Sequence, residues 1–106
     1  MKNSDVAAGF VSLFIYGRAK RPLNGSSCCV HGHVFFSEER PIAIYDSGKF
    51  YLSKERISPA TSRNQNALRK AITEDGATLV EVNTFHDAVS IIDSKNKDIL
   101  AKLEGI

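Results

Sequence analysis

The spacing of apolar residues changes several times along the chain, and each change marks a new element. Near the N-terminus Val6, Phe10, Leu13 and Phe14 recur at i, i+4, i+7 and i+8, a single stripe on a 3.6-residue helix. Ser4 or Asp5 is placed to cap this helix and Gly17 to end it, while Gly9 and the β-branched Val11 and Ile15 pull the same stretch toward a strand. From Cys28 to Leu52 the period shortens to two. "CCVHGHVFF", "PIAIY" and "KFYLS" read as strands, joined by the turns "SEERP" and Asp46-Ser47-Gly48, with Pro41 at a strand start where its missing N–H is tolerated. They predict a three-stranded antiparallel meander, and Gly32 is the point where the first strand can bend.

Helical spacing returns in "SPATSRNQNALRKAITEDG", with Ala67, Leu68, Ala71 and Ile72 on the apolar face and Gly76 as terminator. Its start has two readings: Ser58 caps with Pro59 in the first helical position, or Ser62 caps with Gln65 reaching back. "ATLVEV" predicts a fourth strand, and Thr84 a cap for a helix through "FHDAVSII". Ile99, Leu100 and Leu103 in the tail "KDILAKLEGI" again fall at helical spacing. The expectation is one α+β domain over residues 1–106: a small antiparallel sheet, a meander plus a fourth strand, packed with two to three helices.

Composition narrows the class. At 106 residues, 42% hydrophobic and 25% charged, the chain suits one ordinary globular domain. No apolar run reaches the ~18 residues a membrane span needs. The stretch Val6 to Tyr16 has one Lys before it and Ser12 within it, unlike a secretory signal, so the expected location is the cytoplasm. Cys28 and Cys29 are adjacent, a spacing ill-suited to disulfide geometry, and read as reduced thiols. Charge is split along the chain: residues 1–72 hold eleven Lys/Arg against five Asp/Glu, and residues 73–106 three against seven. One basic and one acidic face would follow, or scatter over a solvated surface.

Three chemistries can be drawn from these residues. On a straight strand Cys29, His31 and His33 would share a face, and His-x-His can chelate a metal. His86 is the only other histidine, and spaced Cys pairs are absent, so half-exposed histidines beside small buried thiols are the plainer reading. Catalysis has less support: no Gly-x-Ser-x-Gly elbow is present, and Glu38-Glu39 reads as a turn. The helix that starts at Ser58 offers more. Arg63, Asn66 and Lys70 lie within about 60° of one another on the helical wheel, with Arg69 just outside, away from the apolar face. Free N–H groups and the helix dipole favour an anion at that N-terminus, where Thr61, Ser62 and Arg63 add donors and Lys54 and Arg56 lie just upstream. The basic loop with Arg18, Lys20 and Arg21 would assist. Tyr45 and Tyr51 could stack bases if their sheet face is open, or belong to the core.

The order "NGSS…HGHVFFSEERPIAIYDSGKFYLSKERISPATSRNQNALRK" resembles a family of small uncharacterised proteins encoded by phages and prophages. The resemblance covers about residues 24–70. Its carriers are the Asn-Gly-Ser start, Pro41-Ile42-Ala43, the Gly48 hairpin, and Ser58 with Thr61-Ser62-Arg63 leading into a helix. Ser37-Glu38-Glu39 departs from the family's aromatic turn, Ala60 stands where Thr is common, and Asn64 where His is common. The resemblance implies a phage or prophage origin, hence the cytoplasm of an infected or lysogenic bacterium, and an α+β fold; it implies no activity.

The leading expectation is therefore a non-enzymatic binding protein without a cofactor. It would contact nucleic acid or another phosphate-bearing partner through Lys54, Arg56, Ser58, Thr61, Ser62, Arg63, Asn66, Arg69 and Lys70, with Arg18, Lys20 and Arg21. The alternative is an effector that inhibits a host defence or transcription factor by protein–protein contact. A metal protein centred on Cys29, His31 and His33 is the minor one. Arg63, where the motif and the helical stripe meet, is the residue the sequence singles out.

Overall fold

A computed structural model describes residues 1–17 and 23–104, with side chains through residue 97. Helix α1 (Asn3–Tyr16) is followed by strands β1 (Cys28–His31), β2 (Val34–Ser37), β3 (Arg40–Asp46) and β4 (Lys49–Ser53). Helix α2 (Pro59–Glu74), strand β5 (Thr78–Val82) and helix α3 (Phe85–Glu104) complete the chain. The sheet has five strands in sequence order, where the pattern predicts four. Gly32, at φ 58°, turns the chain through Gly32-His33 and divides "CCVHGHVFF" into β1 and β2.

The sheet is also mixed: β1 to β4 pair antiparallel, but β5 lies parallel to β4. Between them α2 runs 16 residues, about 24 Å, which carries the chain back to the end of the sheet where β4 began. β5 therefore starts beside Lys49 and runs the same way. "FHDAVSII" and the "KDILAKLE" of the tail belong to one helix of 20 residues. Its start is a reciprocal cap, Asp87 N–H donating to Thr84 Oγ1 at 3.3 Å and Thr84 N–H to Asp87 Oδ2 at 3.2 Å. α1 is a helix, capped at its end by Gly17 at φ 66°, but its N-cap is Lys2, and neither Ser4 nor Asp5 fills that role.

Three layers result. α1 and α2 cover one sheet face, and α3 packs over β3, β4 and β5 on the other. Strand alternation supplies both interfaces: Phe50 and Leu52 enter the α1/α2 core while Tyr51, between them, meets Val82 and Ala88 beneath α3. Ile42 and Ala43, though adjacent, both enter the first core, because the register slips there: Phe35 pairs with Ala43 and Phe36 with Pro41, leaving Ile42 unpaired. In α1 the buried face is Val6, Ala7, Phe10 and Val11. The Phe10 ring meets Phe14, Phe35 and Phe50 edge-on at 5.4–5.7 Å.

Polar residues join the helices to the sheet. Asn3 Nδ2 donates to Ser27 Oγ at 2.9 Å, and Asn64 Nδ2 to Ser27 Oγ at 3.2 Å and Ser37 Oγ at 2.9 Å. The Ser37 and Thr61 hydroxyls are paired at 2.9 Å, and the Thr61 and Ser58 hydroxyl oxygens lie 3.2 Å apart. Ser37 and Thr61 are fully buried and Asn64 is 2% exposed, so the Ser37–Thr61 and Asn64–Ser37 bonds form where water cannot replace them. Gly25 is part of the same construction: a Cβ there would run into Asn3 Oδ1, the acceptor for Ser27 N–H at 3.2 Å.

Candidate anion-binding cleft

α2 begins as the first sequence reading predicts. Ser58 is the N-cap, its Oγ accepting from Thr61 N–H at 3.1 Å, with Pro59 in the first helical position. The Ser62/Gln65 capping box is not formed: Gln65 is buried and its Nε2 donates to Ser53 O at 2.7 Å and Glu55 O at 3.0 Å. Those two bonds fix the β4–α2 loop against the helix.

The helix N-terminus is already supplied with an anion. Glu38, in the turn between β2 and β3, accepts from Ser58 Oγ at 3.2 Å. Its carboxylate therefore sits beside the positive end of the α2 dipole. With Thr61 fully buried and Ser58 engaged by both Thr61 and Glu38, two members of the predicted site are parts of the frame and not contacts for a partner.

One turn further along, other members of that set do converge. Lys54 and Arg56, from the loop after β4, meet Ser62, Gln65, Asn66 and Arg69 of α2 around a cleft of about 380 Å³. Ser62, Asn66 and Arg69 share a helix face because they are four and three residues apart. Lys54 and Arg56 are exposed and form no side-chain hydrogen bond or ion pair among the described residues. Arg69 is partly committed: its Nε contacts Glu81 Oε1 of β5, and its Nη1 donates to Asn66 Oδ1 at 2.9 Å. Arg63 and Lys70 are exposed on α2 but do not line the cleft; Lys70 Nζ lies 3.9 Å from Glu74 Oε1. Arg18, Lys20 and Arg21 lie outside the described residues. Gln65 is the lining residue that sequence reasoning assigned to a cap.

The metal and base-stacking readings lose their geometry. His33, in the β1–β2 turn, packs its ring 4.8 Å from Phe14 of α1, with Nδ1 3.2 Å from Tyr45 O. His31 lies against Phe36 at 5.7 Å on the opposite sheet face, beside Cys29. The strand turns between the two histidines, so the Cys29/His31/His33 set is divided. No group of three or more His, Cys, Asp or Glu residues suited to a metal occurs among the described residues. Tyr51 is buried under α3 and Tyr45 stacks on Phe14 at 4.4 Å, so neither ring is a free platform for a base.

The cysteines point to opposite faces and remain thiols. Cys28 faces the core and its Sγ donates to Asn3 Oδ1 at 3.3 Å. Burial, and behind it the neighbouring Cys29, pushes its pKa from an ordinary 9.0 up to about 11. A thiol-reactive dye at about pH 8 should therefore label Cys29 quickly and Cys28 only as the protein opens, which mass spectrometry of the labelled chain would resolve. Because the folded-state value is raised, the unfolded chain loses this proton first. The stability contribution is complete below pH 9.0 and falls as pH rises from there to about 11.

In comparisons with known proteins, no family model, curated protein or solved structure matches this chain.

Proposed function

We propose that this chain is a non-enzymatic binding protein that contacts nucleic acid, or another phosphate-bearing partner, through the cleft between the β4–α2 loop and α2. One observation carries the reading: Lys54, Arg56 and Arg69 stand around one concavity with the neutral polar side chains of Ser62, Gln65 and Asn66 between them. Exposed cations beside the Ser62 hydroxyl and the Asn66 amide suit the phosphate backbone, which demands charge and hydrogen-bond donors without base-specific geometry. Gln65, its Nε2 committed to the Ser53 and Glu55 carbonyls, shapes the cleft between them. The phage or prophage origin, and with it the bacterial cytoplasm, rests on the sequence resemblance alone and belongs to the same proposal.

Arg69 provides an internal test. Glu81 competes with any phosphate for its guanidinium. Glu81→Gln removes that competitor, and affinity for a short labelled oligonucleotide should rise about two- to fivefold at low salt. Fluorescence anisotropy checks this. An unchanged or lowered affinity would remove Arg69 from the binding surface.

A further inference from the structure

A second concavity lies on the other face of the sheet. α3 covers that face over β3, β4 and β5. Over β1 and β2, alternation and pairing bring Cys29 opposite Phe36, and His31 meets the Phe36 ring edge-on at 5.7 Å. These three side chains floor a cavity of about 820 Å³ whose walls include Ser26, Glu38 and Glu39, and among the described residues no Lys or Arg lines it. Phe36 is only half buried, an aromatic ring left partly uncovered at the base of an acidic rim.

The rim is held in place. Glu38 is fixed by the Ser58 hydroxyl at 3.2 Å. Glu38 and Glu39 also occupy both central positions of a two-residue hairpin at φ 49° and 67°, where Asn-Gly would relax the backbone. The fold thus keeps two acidic residues on the wall of this concavity at some conformational expense.

We infer that this concavity is a docking surface for an arginine- or lysine-bearing peptide segment of a partner protein. The charge is complementary: the rim carries two carboxylates, and the floor offers a ring face to a cation and apolar area to its aliphatic stem. This surface shares no lining residue with the basic cleft and does not rest on its assignment.

The test is an NMR titration of the isotopically labelled full chain with acetyl-Gly-Arg-Gly-Arg-Gly-amide, its Gln counterpart, and N-acetylarginine amide. The Arg peptide should give saturable shifts centred on Cys29, His31, Phe36, Glu38 and Glu39. The Gln peptide should give none, and the Glu38→Gln/Glu39→Gln variant should weaken binding about fivefold, as expected for losing two exposed charge partners. Shifts that are absent, or that spread equally to Asp87 and Asp93, would overturn the inference. Equal affinity for N-acetylarginine amide would overturn the peptide as occupant.

Discussion

Replacing Asn64 with Ala should lower stability by about 2–3 kcal/mol, from two lost hydrogen bonds, one buried and one half-buried, at about 1 kcal/mol each and a small cavity. The position is 2% exposed and its Nδ2 reaches Ser27 of the β1 approach and Ser37 of β2 together. Few single polar positions tie so much together: through Ser27 the chain of bonds reaches Asn3 of α1, and through Ser37 it reaches Thr61 and the α2 cap. For a domain of this size such a loss is a large share of the ~5–15 kcal/mol that separates folded from unfolded. Urea denaturation would register it as a midpoint lowered by about 1–2 M at an unchanged slope. Asn64→Leu separates volume from hydrogen bonding. It fills the space but gives the two serine oxygens no donor, so it should remain well below the native protein. Full recovery with Leu would mean that packing alone matters here.

Removing two cations of the cleft, as Lys54→Ala/Arg56→Ala, should leave stability within about 0.5 kcal/mol, since both side chains are exposed and, among the described residues, unpaired. Oligonucleotide affinity should fall far more. Each lost phosphate contact removes a counterion-release contribution of about tenfold at about 50 mM salt, so the pair should cost about a hundredfold. At about 200 mM the same contacts contribute about three- to fourfold each, and the deficit shrinks to about tenfold. Arg63→Ala stands outside the cleft and should change affinity little, contrary to the emphasis the sequence places on it.

Local signals were the legible part. Ser58-Pro59 specifies a helix start within a few residues, and Asp46-Ser47-Gly48 specifies a hairpin, because caps and turns are settled by neighbours. The direction of β5 depends on where a 16-residue helix delivers the chain, which apolar spacing does not record. Thr61, Asn64 and Gln65 look like outward polar residues under a two-letter pattern. Their partners, Ser27, Ser37 and the Ser53 and Glu55 carbonyls, come from 10 to 37 residues away. One signal was available: Thr61, Asn64, Gln65, Leu68 and Ile72 continue a single helical stripe, so the buried face runs through polar side chains. Lys54, Arg56, Ser62, Asn66 and Arg69 belong both to the predicted set and to the cleft lining, which adds Gln65. The stripe of Arg63, Asn66 and Lys70 that the helical wheel favours stands beside the lining face Ser62, Asn66 and Arg69, and only the position of the β4–α2 loop distinguishes them.

The most direct measurement of the central claim is the salt dependence of oligonucleotide binding in the native chain and in Lys54→Ala/Arg56→Ala, by anisotropy under identical conditions. The native protein should lose affinity linearly in log salt, and the double variant should show a slope shallower by about 1.4–1.8, the value for two lost phosphate contacts. Two parallel lines, or a native protein that does not bind at low salt, would contradict the assignment of this cleft.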